Sequence, residues 1–249
     1  MTNDIPNPPM PNPPPPMMSE PAAPTSFFQT WVTAVTKPSE ATYSAMASSS
    51  NVSATPAFIW VAVASLIQSF ILILVQGATV RQALAQQGLN GNQFGGGGTG
   101  VIFSLLCGAP IVAVISVVAF AIGTAVIQWV AKMFGGRGTF NQLAYVFGAI
   151  AAPATLVSAV FLLLGAIPLV GICFRVIAGF IGLYVLVLEI MAVKGIHGFG
   201  WGAAAGSVLI PAAVLLLLCC CLAFGIGALV GASLGNVFSQ LGPFPVPTP

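Results

Sequence analysis

Residues 101–130 read VIFSLLCGAPIVAVISVVAFAIGTAVIQWV, a stretch without one charged side chain. A helix rises 1.5 Å per residue and the hydrocarbon core of a bilayer is about 30 Å thick, so roughly 20 apolar residues cross it. This stretch exceeds that length, which leaves room to tilt or to kink at Pro110. Four more segments of the same character surround it: 56–76, with Trp60 as an interfacial anchor near its start; 143–166, with Pro153 inside it; 170–193; and 203–234. The expected fold is therefore all-α, a polytopic membrane helical bundle of five transmembrane helices over residues 56–234.

Composition agrees. Charged residues are 4% of the 249 and hydrophobic ones 57%, where a soluble domain carries roughly 25% charge. Six basic and four acidic side chains cannot cover the surface of a soluble fold this long. Net charge is +2, and Lys37, Arg81, Lys132, Arg137, Arg175 and Lys194 are dispersed. That pattern argues against a nucleic-acid partner and supplies no polybasic run beside a span.

The segments outside the spans differ in kind. Residues 1–25 are rich in proline, which fixes φ and lacks a backbone donor, so a disordered or polyproline-like cytoplasmic tail is expected. Its P-x-x-P patterns, such as Pro11 to Pro14, follow from proline density alone. The tail lacks the basic start and apolar core of a signal peptide, so the first span is expected to serve as its own insertion signal. In residues 26–50, Phe27, Trp31 and Val35 recur every fourth position, and Phe28 and Val32 widen the stripe. Pro38 interrupts it before Tyr43 and Met46 resume. This reads as a short amphipathic helix, too short to span, at the membrane interface or packed on the bundle, followed by a serine-rich linker. Residues 77–100 form a loop with Arg81 and four consecutive glycines, and 131–142 a polar loop with Lys132 and Arg137. Ile167-Pro168 makes a tight turn, Lys194 to Gly202 a loop with His197 and Trp201, and residues 235–249 a proline-rich C-terminal tail.

Lysine and arginine orient the bundle. With the N-terminus in the cytoplasm, Lys37, Lys132, Arg137 and Lys194 fall inside and Arg81 outside, while Arg175 snorkels outward. The positive-inside bias then places the C-terminus outside. The sequon Asn51-Val-Ser53 falls in the cytoplasm, where it is idle.

Arg175 and Glu189 are the intramembrane charges, each near an end of its span. Such residues normally face protein, water or headgroups. Fourteen residues apart, they are separated by about 21 Å along one helix and lie within roughly 40° of one face. They cannot pair, and anchoring is the favoured reading; Lys194 and Lys132 are the expected partners of Glu189. Gly227, Gly231 and Gly235 carve a groove at four-residue spacing suited to close helix packing, within the chain or with a second copy. Gly95, Gly97 and Gly100 spell G-x-G-x-x-G only through a glycine run, without a βαβ context. Cys107, Cys173 and Cys219 to Cys221 lie inside apolar stretches and read as small hydrophobes. His197 stands alone and reads as a surface or interface residue; no catalytic pair, metal-ligand spacing or cofactor motif accompanies it. An enzyme is not expected, nor is a cofactor or a metal.

The loop residues carry a resemblance. Phe134, Gly135, Gly136, Arg137, Gly138, Thr139 and Phe140, followed by Tyr145 and Pro153, resemble the second-loop signature of the Yip-one (Ypt-interacting protein) domain family. The Ile167-Pro168 turn, Tyr184, and Lys194 through His197 to Trp201 look like its later landmarks, and Trp31 to Pro38 is similar to the segment before the domain. The resemblance spans about Trp31 to Leu229. It implies a five-span membrane protein with a cytoplasmic N-terminus. Eukaryotic members act in early secretory trafficking and contact Rab-type small GTPases and related family members. The acidic motif those members carry before the first span is absent, and the low-complexity tail and simple loops look more like the prokaryotic branch. The resemblance thus implies the plasma membrane for a prokaryotic chain, and endoplasmic reticulum and Golgi for a eukaryotic one.

The leading functional expectation is a non-enzymatic, membrane-organising or partner-recruiting scaffold. Its expected partners are the lipid bilayer and other membrane proteins in a homo- or hetero-oligomer. The alternative is a small transporter or channel using Arg175 and Glu189.

Overall fold

The computed structural model describes residues 26–49, 52–86, 98–167 and 170–240. The helices run α1 (Phe27–Thr36), α2 (Glu40–Ala47), α3 (Ala54–Gln86), α4 (Gly98–Phe103), a π-helical turn (Ser104–Gly108), α5 (Ala109–Met133), α6 (Phe140–Leu164), α7 (Gly171–His197) and α8 (Trp201–Gln240). Among the described residues there is no strand. Five segments are long and apolar enough to cross a membrane: Ala54–Ala78, Gly100–Met133, Phe140–Leu164, Gly171–His197 and Trp201–Leu222. The all-α five-span bundle is what the apolar runs require. The tails, most of the glycine-rich loop, Asn51 of the sequon and Pro168 lie outside the described residues.

Local chemistry sets the helix ends. Thr139 and Gln142 close a capping box at the start of α6, so this helix begins at Phe140, three residues before the expected span. α7 runs on through Lys194 to His197 and stops at Gly198, whose φ of 68° is the left-handed turn that glycine takes without steric cost. The expected loop from Lys194 to Gly202 therefore shrinks to its central residues. α3 continues ten residues past Gln76, because after Gly77 the residues 78–86 hold neither proline nor glycine. Pro110 cannot donate to the carbonyl four residues back, and the ladder widens into the π-helical turn just before it.

α6 is the central helix, packed on α3, α7, α1, α2 and α5, while α8 rests on α5 and α7. Every residue from Leu143 to Ile150 on α6 is buried. α3 reaches it closely because Gly148 has no side chain: a Cβ there would sit 2.5 Å from Ala57 Cβ. The outward faces of α5 and α8 are apolar and exposed, from Ile111, Ile115 and Ile122 to Leu215, Leu217 and Leu222. Such a surface suits lipid and would be costly in water.

The amphipathic segment becomes two helices. Ser26 caps α1 and Ser39 caps α2, with Pro38 between them. Proline has no N–H, so the Ala34 carbonyl four residues earlier loses its helical partner. Tyr43 Oη supplies the replacement at 2.8 Å, and Tyr184 Oη reaches across from α7 to donate to the Val35 carbonyl at 2.7 Å. Gln142 Nε2 donates to the Ala47 carbonyl at 3.1 Å and ties the end of α2 to α6. The segment thus packs on the bundle through α6 and α7, one of the two placements its pattern allowed, while Phe27, Phe28 and Val32 remain exposed.

Candidate functional site at the loop end of the bundle

The end of the bundle where α5 meets α6 and α7 meets α8 gathers the polar chemistry. Its centre is His197. The imidazole is 3% exposed, stacked at 8° on Phe199 with ring centroids 5.4 Å apart. Nδ1 accepts the backbone N–H of Gly138 at 3.1 Å, which assigns the ring hydrogen to Nε2. Gln128, on α5 and 5% exposed, donates from Nε2 to the Gly138 carbonyl at 2.6 Å. One glycine is thereby held at both its N–H and its carbonyl, by two side chains from different helices.

The glycines explain how the loop comes so close. A Cβ on Gly136 would lie 2.5 Å from His197 Nδ1 and 2.8 Å from the Ala131 carbonyl; one on Gly138 would lie 2.5 Å from Ile196 Cγ2. Gly135 turns the chain with a φ of 86°. Arg137 sits between two residues pressed against the imidazole, and its own side chain is exposed. Phe134 covers Gly206 of α8 and remains part exposed. The loop packs closely on the imidazole and leaves Arg137 exposed, with Lys132 exposed just before it.

Beside it, Lys194 Nζ pairs with Glu40 Oε1 and lies 4.4 Å from the centre of the Trp201 ring. Gly195 permits the approach of α2, since a Cβ there would meet the Glu40 carbonyl at 2.7 Å. An exposed ion pair with a cation–π contact is worth about 1 kcal/mol or less for each part. Its role is chiefly geometric, joining α2, α7 and α8 at one point.

Several expectations change here. His197, expected as a surface or interface residue of a loop, lies at the end of α7 and is buried against the neighbouring loop, because the glycines of that loop let the backbone close over it. Glu189 forms no ion pair among the described residues; Lys194, expected as its partner, is taken by Glu40. Arg175 lies exposed at the far end, in a groove with Gln68, Leu72, Phe161 and Leu162 that does not include Glu189. Gly227, Gly231 and Gly235 fall on α8, but their surroundings lie outside the described residues. Gln128, Glu40, Tyr43 and Gln142 were missed. Gln128 offered a signal, as the one amide inside the uncharged stretch 101–130. Burial holds the Tyr43 phenol above its ordinary value, with Tyr184 adding to the shift, so its hydroxyl remains a donor.

The loop, its histidine and the end of α1 fall within one family match, in which the Yip1 domain aligns with residues 32–223. The chain belongs to the Yip1 domain family. No curated protein and no solved structure gave a significant match. The Yip1 match begins inside α1 and ends within α8, so it takes in the second half of α1, all of α2 and the five candidate spans.

Proposed function

We propose that this Yip1-domain protein is a non-enzymatic membrane scaffold that recruits a partner at its loop end, with Arg137 as the leading contact. One observation supports this most: Arg137 is exposed, while Gly138 beside it donates its N–H to the buried His197 and Gly136 lies too close to the same ring to carry a side chain. A cation held on a fixed mount loses little freedom when a carboxylate or phosphate of a partner meets it, and guanidinium binds both in bidentate fashion. Lys132 is exposed nearby, and Trp129, Met133 and Trp201 add apolar surface at the same end. Aromatic and arginine side chains are the usual anchors of interfaces.

The proposed orientation puts this end and the N-terminus in the cytoplasm, following the excess of Lys37, Lys132, Arg137 and Lys194 on that side. The test is cross-linking and co-purification from native membranes with wild-type protein, Arg137→Glu and Arg137→Lys. Proteins captured by the wild type should be lost with Arg137→Glu and weakened with Arg137→Lys, at unchanged thermal stability. Equal capture by all three would refute the reading. A cysteine placed at Arg137 in a cysteine-free background should react with an impermeant maleimide only after the cytoplasmic face is opened.

A further inference from the structure

The last carbonyls of α1 are capped in a way that an interfacial helix does not need. At the level of the headgroups water would take the carbonyls that Pro38 leaves open. Here protein groups take them. The Lys37 N–H reaches the Thr33 carbonyl at 3.1 Å, and the Tyr43 and Tyr184 hydroxyls donate to the carbonyls of Ala34 and Val35. Hydrocarbon imposes that condition, because it holds no water to satisfy a free backbone group. The threonines are closed in the same manner: Thr30 Oγ1 donates to the Ser26 carbonyl at 3.0 Å and Thr36 Oγ1 to the Val32 carbonyl at 2.6 Å. No charged side chain occurs between Glu20 and Lys37.

The level at which α1 meets the spans agrees. Tyr184 stands 13 residues from each end of α7, which is about 20 Å along the axis in either direction. A helix of this length that crosses a hydrocarbon core about 30 Å thick keeps its middle residue inside the core. The Tyr184 hydroxyl bonds the Val35 carbonyl at 2.7 Å, so the end of α1 is fastened to the middle of a span. Phe28 and Val32 share a groove with Pro153 and Ile181, which belong to the middle turns of α6 and α7. Phe27, Phe28 and Val32 are exposed and apolar, as are the outward Val160, Phe180 and Leu183 of those two spans. After Val35 the chain climbs back: Lys37 is exposed, and Glu40 packs on Gly195 near the loop end of α7. A lysine there extends its stem along apolar surface and sets its ammonium among the headgroups.

We propose that α1 is embedded in the leaflet at the loop end, below the headgroups, with Phe27, Phe28 and Val32 in contact with the acyl chains of the bilayer. This contact uses residues other than Arg137 and does not depend on partner recruitment there. The bundle thereby carries a membrane-embedded helix too short to span, held in place by two tyrosine hydroxyls.

The experiment uses the full chain, unmutated, in phosphatidylcholine vesicles containing one of two photoactivatable phosphatidylcholines. One carries a diazirine midway along an acyl chain, the other on the headgroup. After photolysis, adducts are mapped by mass spectrometry, and labelling by the acyl probe is divided by labelling by the headgroup probe at each residue. The ratio at Phe28 and Val32 should match that at Phe180 and Leu183 and exceed that at Lys37 and Arg137. Spin labels at Phe28→Cys and Val32→Cys, in a cysteine-free background, should collide with oxygen more often than with a water-soluble nickel chelate, as a label at Phe180→Cys does. A ratio at Phe28 and Val32 equal to that at Arg137 would place α1 among the headgroups and overturn the proposal. So would a lack of labelling by both probes. Recovery on dilution of the protein in lipid would then assign the face to a second copy, and no recovery would assign it to another part of the same chain.

Discussion

Replacing Tyr43 by phenylalanine removes one hydroxyl and keeps the ring, which isolates the contact that compensates for Pro38. The side chain is fully buried, and its Oη is 2.8 Å from the Ala34 carbonyl that proline leaves without a helical donor. Ala34 is itself buried at 0% exposure, so water cannot take over without opening the site. Leaving a buried acceptor unsatisfied costs about 1–3 kcal/mol. Local opening of α1 should then become about 5- to 140-fold more frequent at 1.4 kcal/mol per tenfold. Hydrogen–deuterium exchange in nanodiscs reads this directly: amides of residues 30–37 should lose protection by that factor, while those of 143–150 on α6 stay unchanged. Alkaline titration supplies the matching sign. Burial raises the folded phenol above the ordinary tyrosine value of about 10, so its contribution is complete below that pH and drains away as pH rises beyond it. Tyr43→Phe should lack that alkaline loss. Unchanged exchange across α1, or equal loss in α1 and α6, would refute the claim that this hydroxyl holds the helix down.

Three further outcomes follow from close approaches and the ion pair. Gly138→Ala brings a Cβ to 2.5 Å from Ile196 Cγ2 and 2.9 Å from His197 Cε1, and overpacking of this kind costs about 1–3 kcal/mol. The melting temperature in detergent should fall, and partner capture through Arg137 should fall with it. Gly148→Leu drives a side chain into Ala57 at the α3–α6 crossing, so the two spans must separate; a disulfide or spin-label distance between α3 and α6 should lengthen. Glu40→Gln removes the carboxylate paired with Lys194, yet this contact is part exposed and should contribute about 1 kcal/mol or less, so melting should change little.

The spans were legible because length and missing charge settle them without any knowledge of packing. A run such as 101–130 has no soluble alternative, and lipid requires its backbone bonds to close within the helix. Helix ends were less legible, since they depend on single residues: the Thr139–Gln142 box advances one end, and Gly198 delays another. The site was legible as residue types and not as an arrangement. Phe134 to Phe140 and Lys194 to Trp201 were marked as two separate loops, but nothing in their spacing says that Gly138 meets His197. That contact joins residues 59 apart, and the Lys194–Glu40 contact joins residues 154 apart. The reading of the lone histidine as a surface or interface residue left its burial open, for a physical reason. Glycine flanks do not always mark a flexible loop; here they remove the side chains that would have kept the loop away from the imidazole.

The polar and small-residue contacts together explain why one end of the bundle is solid. Lipid tails are as apolar as leucine, so burying leucine between spans gains little, and helix association depends on close backbone approach and internal hydrogen bonds. Both devices concentrate near the loop end. Gly148 meets Ala57 and Gly195 meets Glu40, while Gln128, Gln142, Tyr43 and His197 each bond a backbone group of another segment; Tyr184 does so from the middle of α7. Toward the far end α5 and α8 turn apolar faces outward, and Arg175 is exposed. Buried Ser69 and Ser207 bond carbonyls of their own helices, while Gln128, Gln142, Tyr43 and His197 fasten segments to one another, and Lys132 and Arg137 are exposed at the fastened end. Close packing beside exposed cations is what the proposed recruiting surface requires.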